Sequence, residues 1–556
     1  MNIVELIRDQ ARRNPYHKAV VFPEKKNNLG KTRYSHYTFQ RIDQESDFLA
    51  EKLQGLGIRK KTLTLLFVKP SLEFPLVVFS LLKIGAIPIL IDPGMGRKNL
   101  LRAIAEVKPH ALISAPIVHY LSGFFPNVFR SVKCRITTGS WGLRAIPLTS
   151  LLPPASMKDF SLFRANDPKK NDIAAILFTS GGTGKPKGVI YTHSIFACQI
   201  DILRNMFALQ QGDKDLPGFP LFSLLTMAMG ITSVIPPMDP SKPSQANPKK
   251  LVDTIEEQGI TLANGSPAIW ENVAEYCLKH NRKLPSLKSL MMFGAPVSSK
   301  LVAAFAKILV NGDTYTPYGA TECLPVACLS GSEILNGPAK LSLTGKGTCV
   351  GFPVAKSLIK IIRASQEKVE NSQSWTELKP MEVGEIIVYG RQVTPGYFNR
   401  PTQTDYSKIP DREGGVWHRM GDLGYLDHEG RLWFCGRQAH SFLGSYGMHL
   451  SVPSEAIFNK HPDVRRSALI GLSVPQQLEK KPCLVLERHD GRVVLQKKEK
   501  EAFRSELINL GKDYKHTAMI DTFFLHHNFP VDPRHNIKID RLSLGRLFSR
   551  KRDKSL

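Results

Sequence analysis

Short aliphatic runs alternate with helical segments up to about residue 310, and this order constrains the fold more than any other feature of the chain. "KTLTLLFV", "FPLVVFSLLKIGAIPILID", "HALISA" and "DIAAILFTS" supply the runs. "GITLANGSPAIWENVAEYCLKH" and "LKSLMMFGAPVSSKLVAAFAKIL" each repeat a strand, a Gly/Pro turn and a helix. Such alternation predicts an α/β fold of layered sheets with largely parallel strands. After about residue 345 the texture changes. "VGEIIVYG", "GYLDHEG" and "RLWFCGR" read as short antiparallel strands with tight turns. From about Gln438 a smaller basic segment begins, with a helix start at "SVPSEAIFNKHPDV". A chain of 556 residues exceeds one ordinary core. The divisions expected are 1–437, 438–541 and a basic tail, 542–556, with a hinge near Arg437.

Bulk composition excludes some classes. Hydrophobic content of 42% and charged content of 22% are those of a folded protein. Eight scattered cysteines without a CxxC pair argue for reduced thiols in the cytoplasm and against a zinc site or disulfide framework. "MNIVELIRDQARRNP" reads as an amphipathic helix, not a signal peptide. The stretch Phe74 to Ile91 is the best membrane candidate, but Lys83, Gly85 and Pro88 interrupt it. A buried helix followed by a core strand is expected there. The net charge of +26 is unusual, and the last sixteen residues hold six Lys or Arg against one Asp. No nucleic-acid motif accompanies that charge. A solvated basic end is expected, with an anionic membrane surface as the alternative contact.

"FTSGGTGKPKGVIYTH", residues 178–193, carries the first chemical signal. Its glycines let backbone N–H groups converge on a ligand, its hydroxyls add donors, and Lys185 and Lys187 add charge. The set suits a phosphate chain. It is not the usual nucleotide loop, because Pro186 follows Gly184-Lys185 where Ser or Thr is required. "TPYGATECLP" places Tyr318 beside a turn and Glu322 just beyond it. An aromatic ring can stack on a purine, and a carboxylate near phosphates can hold Mg²⁺. "RMGDLGYLDHEGRLWFCGR" offers Asp422 on a tight turn, suited to clamping ribose hydroxyls, and Arg437 at a strand end. "FPVDPRHNIKIDR" offers Lys538, a cation on the smaller segment.

Taken together and in order, these motifs resemble the adenylate-forming superfamily of acyl-CoA synthetases, peptide-synthetase adenylation domains and luciferases. The resemblance implies a large N-terminal domain of layered α/β sheets with a small distorted barrel, followed by a small mobile α+β domain. It assigns Thr179, Ser180, Gly181, Thr183, Gly184 and Lys187 to the ATP phosphates. Gly294, Ala295, Pro296 and Tyr318, with Gly319 and Thr321, fall to the nucleotide pocket. Glu322 is implied as the Mg²⁺ ligand, Asp422 and Arg437 as ribose contacts, and Lys538 as the catalytic cation bridging carboxylate and phosphate. ATP and Mg²⁺ are the implied cofactors.

A narrower resemblance is to the olefin-pathway β-lactone synthetases of bacteria, through "VIYTHSIFACQIDILRNMF", "DLPGFPLFSLLTMAMGITSVIPPMDPSKP", "KGTCVG" and "IFNKHPDVRRSALIGL". It implies activation of a 2-alkyl-3-hydroxy fatty acid and closure of its 3-hydroxyl onto the carbonyl. Other enzymes of a fatty-acid condensation pathway are then the implied partners. A fatty acyl-CoA or acyl-carrier ligase is the alternative. Gly182 replaces a usual hydroxyl residue, Ser223 stands where acyl-CoA synthetases often have His, and Ala439 where a hinge Asp or Lys is common. These departures weigh against thioester formation more than against adenylation. Cys323 is expected to be a small core residue rather than a nucleophile, and His193 is either packed or catalytic.

Overall fold

The computed structural model describes residues 2–26, 30–154, 157, 168–179, 185–445, 447–474, 476–531, 538–549 and 556. The alternation of runs and helices resolves into two seven-stranded sheets. In one, strands Ile146–Pro147, Cys134–Thr137, Ala111–Ser114, Leu63–Phe67, Ile87–Ile91, Ile173–Thr179 and Lys187–Thr192 lie in that order. All its pairings are parallel except the last, which is antiparallel. In the other, Asp313–Tyr315, Ser289–Met292, Leu262–Gly265, Lys214–Pro217 and Thr232–Val234 run parallel to Lys18–Lys26, and Thr32–Thr38 closes the edge antiparallel.

A third sheet, of eight strands, is antiparallel throughout. It starts at Tyr318, earlier than the change of texture near residue 345, because its first hairpin is two short strands, Tyr318–Ala320 and Cys323–Cys328. The region after Arg437 forms a separate three-stranded sheet, Val464–Ser473, Lys480–Arg488 and Thr522–Leu525, with apolar clusters of its own around Phe458, Leu484 and Phe524. The expected helix there is Ser451–Phe458.

Local rules explain the N-terminal packing. Helix Ile3–Arg13 starts at a capping box made by Asn2 and Glu5 and buries Ile3, Val4, Ile7 and Ala11 along one stripe. Between Phe74 and Ile91 lie helix Glu73–Lys83 and strand Ile87–Ile91, the expected pair. Lys83 is fully buried because its ammonium reaches Asp43 at 2.6 Å and Asp47 at 3.0 Å, and Arg8 joins Asp47 at 3.2 Å. A paired cluster of this kind tolerates burial, whereas removing one partner typically costs about 3–5 kcal/mol. Among the described residues, no helix is long and apolar enough to cross a membrane.

Candidate functional site

Strand direction brings the site together. The Ile173–Thr179 strand ends with Thr179 opposite Lys187 on the returning strand, so the Gly-rich segment expected to hold phosphate starts and ends at one antiparallel pair. Ser180, Gly181, Thr183 and Gly184 lie outside the described residues. Leu262–Gly265, Ser289–Met292 and Asp313–Tyr315 are adjacent and parallel, so their C-terminal ends share one edge. Gly294, Ala295 and Pro296 follow the second of these strands, with Gly294 at φ +90°. Tyr318 begins three residues after the third. Ligands of parallel sheets bind outside such ends.

Ala320 pairs with Cys323, which leaves Thr321 and Glu322 as the two residues of a tight hairpin turn. Gly319 sits in that hairpin, where a Cβ would stand 2.8 Å from the Cys323 carbonyl oxygen. The Thr321 carbonyl accepts a hydrogen bond from Tyr191 Oη at 2.6 Å, tying the turn to the sheet that ends in Lys187–Thr192. A segment not singled out in the sequence completes the tie. Val393 bridges to Cys323, and Tyr397 bridges to Val189 beside the phosphate-loop strand. Thr394 donates from its backbone N–H (3.0 Å) and its hydroxyl (2.9 Å) to the Glu322 carbonyl.

Side chains then converge. Tyr397 Oη donates to Glu322 Oε1 at 2.7 Å, and the Lys187 ammonium lies 4.8 Å from the centre of the Tyr397 ring. Burial lowers the Lys187 pKa, and the Glu322 carboxylate opposes that shift. Asp422 and Arg437 are register partners on strands Val416–Leu426 and Leu432–Arg437. Their charged groups lie 3.1 Å apart, and Arg437 also donates to the Met420 carbonyl at 3.1 Å. Tyr318 Oη donates to Asp422 Oδ2 at 2.6 Å. Asp422 Oδ1 is the oxygen that faces Arg437, held by charge with no well-aligned hydrogen bond among the described residues. Burial raises the Asp422 pKa, opposed mainly by Arg437, with a smaller opposing effect from the Lys538 charge.

One expectation is corrected. Asp422 does not sit on a tight turn but within an eleven-residue strand. The glycine that suggested a turn serves a β-bulge: Gly421 has φ +64°, and the pairing with strand Gly384–Tyr389 shifts register from Glu385–Leu423 to Ile387–Arg419. Cys323 is buried, and burial pushes its thiol up to about 12, which excludes a ready thiolate. His193 is packed, with neither ring nitrogen hydrogen-bonded among the described residues. Tyr397 and the buried Lys408, which donates to Thr394 Oγ1 at 3.3 Å, carry no spacing signal. Only the turn pair Pro395-Gly396 marks their neighbourhood in the sequence.

The donor set fits a nucleotide and a hard cation. A carboxylate with acceptor capacity to spare beside an arginine suits ribose hydroxyls. A single carboxylate suits Mg²⁺, which takes one or two protein oxygens and otherwise binds phosphates and water. Among the described residues no cluster of three or more metal-ligating side chains exists.

Comparison with known proteins agrees with this geometry. A family described as AMP-binding enzyme matches residues 7–398. Olefin beta-lactone synthetase of Xanthomonas campestris pv. campestris is 39% identical over 553 residues, covering 98% of this chain and 97% of that protein. The same-named protein of Stenotrophomonas maltophilia is 39% identical over 516 residues, 91% of this chain and 90% of that one. Among solved structures, an amide bond synthetase from Marinactinospora thermotolerans has a TM-score of 0.78 at 21% identity, covering 98% of this chain and 99% of that one. O-succinylbenzoate coenzyme A synthetase from Bacillus subtilis, in complex with ATP and magnesium ion, has a TM-score of 0.72 at 20% identity, covering 97% and 98%. The last two share the fold.

Proposed function

The chain belongs to the AMP-binding enzyme family, and from that premise we propose that it converts a 2-alkyl-3-hydroxy fatty acid and ATP into a β-lactone, AMP and pyrophosphate. In the first step a carboxylate oxygen bonds to the α-phosphorus and the bond to pyrophosphate breaks. In the second, the 3-hydroxyl oxygen bonds to the activated carbonyl carbon, its proton is lost, and AMP leaves. The observation that carries the first step is the meeting of Tyr318, Asp422 and Arg437 at one buried carboxylate. Similarity to the two β-lactone synthetases along nearly the whole chain supports the second.

In this reading Asp422 and Arg437 hold the ribose, and Tyr318 packs by the purine. Residues 179–187 hold the phosphates. Glu322 holds Mg²⁺, which supplies positive charge to the phosphate oxygens. Lys538 brings an ammonium to the oxygen where negative charge builds. Residues 438–541 act as a lid that turns about Arg437. The same reading makes partners of the enzymes that form the hydroxy acid.

Ring closure needs no external thiol, because the nucleophile is tethered to its target. Tethering in a good geometry is worth an effective molarity of roughly 10⁵ M or more, less the strain of a four-membered ring. The test is product analysis by mass and by the lactone carbonyl stretch. AMP and a lactone are expected from 2-alkyl-3-hydroxy acids without coenzyme A, and no lactone from the acid lacking the 3-hydroxyl. A thioester formed only with coenzyme A, and no lactone without it, would establish the ligase reading instead.

A further inference from the structure

Helix Pro116–Gly123 turns two polar side chains inward: His119 and Ser122 are buried, and Val118 packs partly against the core. His119 Nε2 lies 3.1 Å from Ser114 Oγ and donates to the Ile136 carbonyl at 3.1 Å. Ser122 Oγ accepts from Arg135 at 2.8 Å. Its outward residues are apolar: Ile117, Tyr120, Leu121 and, at the C-cap, Phe124 recur at the i, i+3, i+4, i+7 spacing that normally faces a core. Phe124 is 77% exposed and Ile117 60%.

Across from this helix, Trp141 is 58% exposed and packs edge-on against Tyr120 at 5.3 Å, and exposed Leu143 follows. The two segments are fixed to each other, since a Cβ on Gly139 would collide with Pro116. The patch is therefore a built surface of six large apolar side chains from two elements. Its charge is one-sided. Residues 107–157 contain no Asp or Glu but include Lys108, Arg130, Lys133, Arg135 and Arg144. Lys108, Arg130, Lys133 and Arg144 are exposed.

We propose that this face docks on an anionic lipid bilayer. Tyr and Trp beside aliphatic side chains, in a stretch of chain whose charged residues are all basic, match the polarity gradient of a lipid–water interface. Each Lys or Arg near such a surface strengthens binding roughly fivefold. A protein partner would find an apolar patch equally attractive, but the exposed cations Lys108, Arg130, Lys133 and Arg144 of the same stretch favour a surface of uniform negative charge. Location adds to the case. The helix follows the Ala111–Ser114 strand and Trp141 follows Cys134–Thr137, both parallel to Ile173–Thr179, which leads into the phosphate loop. The patch and that loop leave the same edge of one sheet, three strand spacings or roughly 15 Å apart.

The test is flotation of the full-length protein with phosphatidylcholine vesicles containing or lacking phosphatidylglycerol, at low and high salt. Expected are binding only to the anionic vesicles, weakening with salt, and a blue shift of tryptophan fluorescence lost in Trp141→Ser. Phe124→Asp, and separately Arg130→Glu with Arg144→Glu, are expected to reduce binding at least tenfold. Their melting temperature and their AMP release from a short soluble acid should match the parent. Removal of residues 550–556 is expected to leave most of the binding intact. The proposal is overturned if the protein ignores anionic vesicles, or if only tail removal abolishes binding. It is overturned equally if Phe124→Asp dissociates a dimer while leaving flotation unchanged.

Discussion

Tyr397 donates to Glu322 Oε1 across 75 residues of sequence, and the same ring carries the Lys187 ammonium on its face. One side chain thereby spaces the Glu322 carboxylate from the Lys187 cation. Tyr397→Phe keeps the ring and deletes the hydrogen bond, which to a charged group is worth about 1.5–3 kcal/mol. The Mg²⁺ concentration for half-maximal AMP release should rise about tenfold, with little change in the melting temperature. Glu322→Ala should lose AMP release on the order of a hundredfold. Unaltered Mg²⁺ dependence in both variants would remove Glu322 from the metal.

Asp422→Asn preserves shape but replaces one oxygen acceptor with a donor opposite Arg437. The fall in kcat/KM for ATP should be on the order of tenfold to a hundredfold, expressed mainly in KM. A fall confined to kcat, with ATP affinity intact, would contradict the ribose assignment.

Lys538→Ala should behave the other way. A cation that matters where charge develops lowers kcat by about a hundredfold or more and spares ATP binding. Isothermal titration with ATP separates the two cases: a parallel loss of affinity would make Lys538 a ground-state contact.

His193 governs part of the acid limb of stability. Burial lowers its pKa from 6.5 to about 4. Between those values the unfolded chain binds the proton and the native state does not, so stability falls as pH drops from 6.5 through 4. The full difference is on the order of 3 kcal/mol. Asp215, which burial raises to about 8, works in the opposite sense, losing stability as pH rises from 3.8 through 8. Comparing His193→Phe with its parent isolates the histidine. The variant's melting temperature should fall less between pH 6.5 and 4.5, and identical slopes would refute the assignment.

Sequence legibility followed the range of the interactions involved. The Ile173–Thr179 strand and the Ser299–Ile308 helix are written in local apolar pattern and appear where expected. Local pattern puts Asp422 on a turn because a glycine in a bulge and a glycine in a turn look alike in sequence. Gly424 is required because a Cβ there would strike the Trp433 carbonyl, a contact invisible in local sequence. Tyr397 escaped notice because its meeting with Glu322 depends on two long-range bridges, Cys323 to Val393 and Val189 to Tyr397. The helix Pro116–Gly123 shows a further limit. Periodicity reveals an apolar stripe but not which way it faces.

The place of the Lys18–Lys26 strand sets a timetable for biosynthesis. Val20 pairs with Ser233, so its parallel neighbour emerges 213 residues later in the chain. At roughly 5–20 residues per second, translation leaves that edge uncovered for on the order of 10–40 s. Only the local hairpin with Thr32–Thr38 is available meanwhile. The nascent N-terminus must therefore wait as an open β-edge while the neighbouring sheet, complete by Thr192, assembles first.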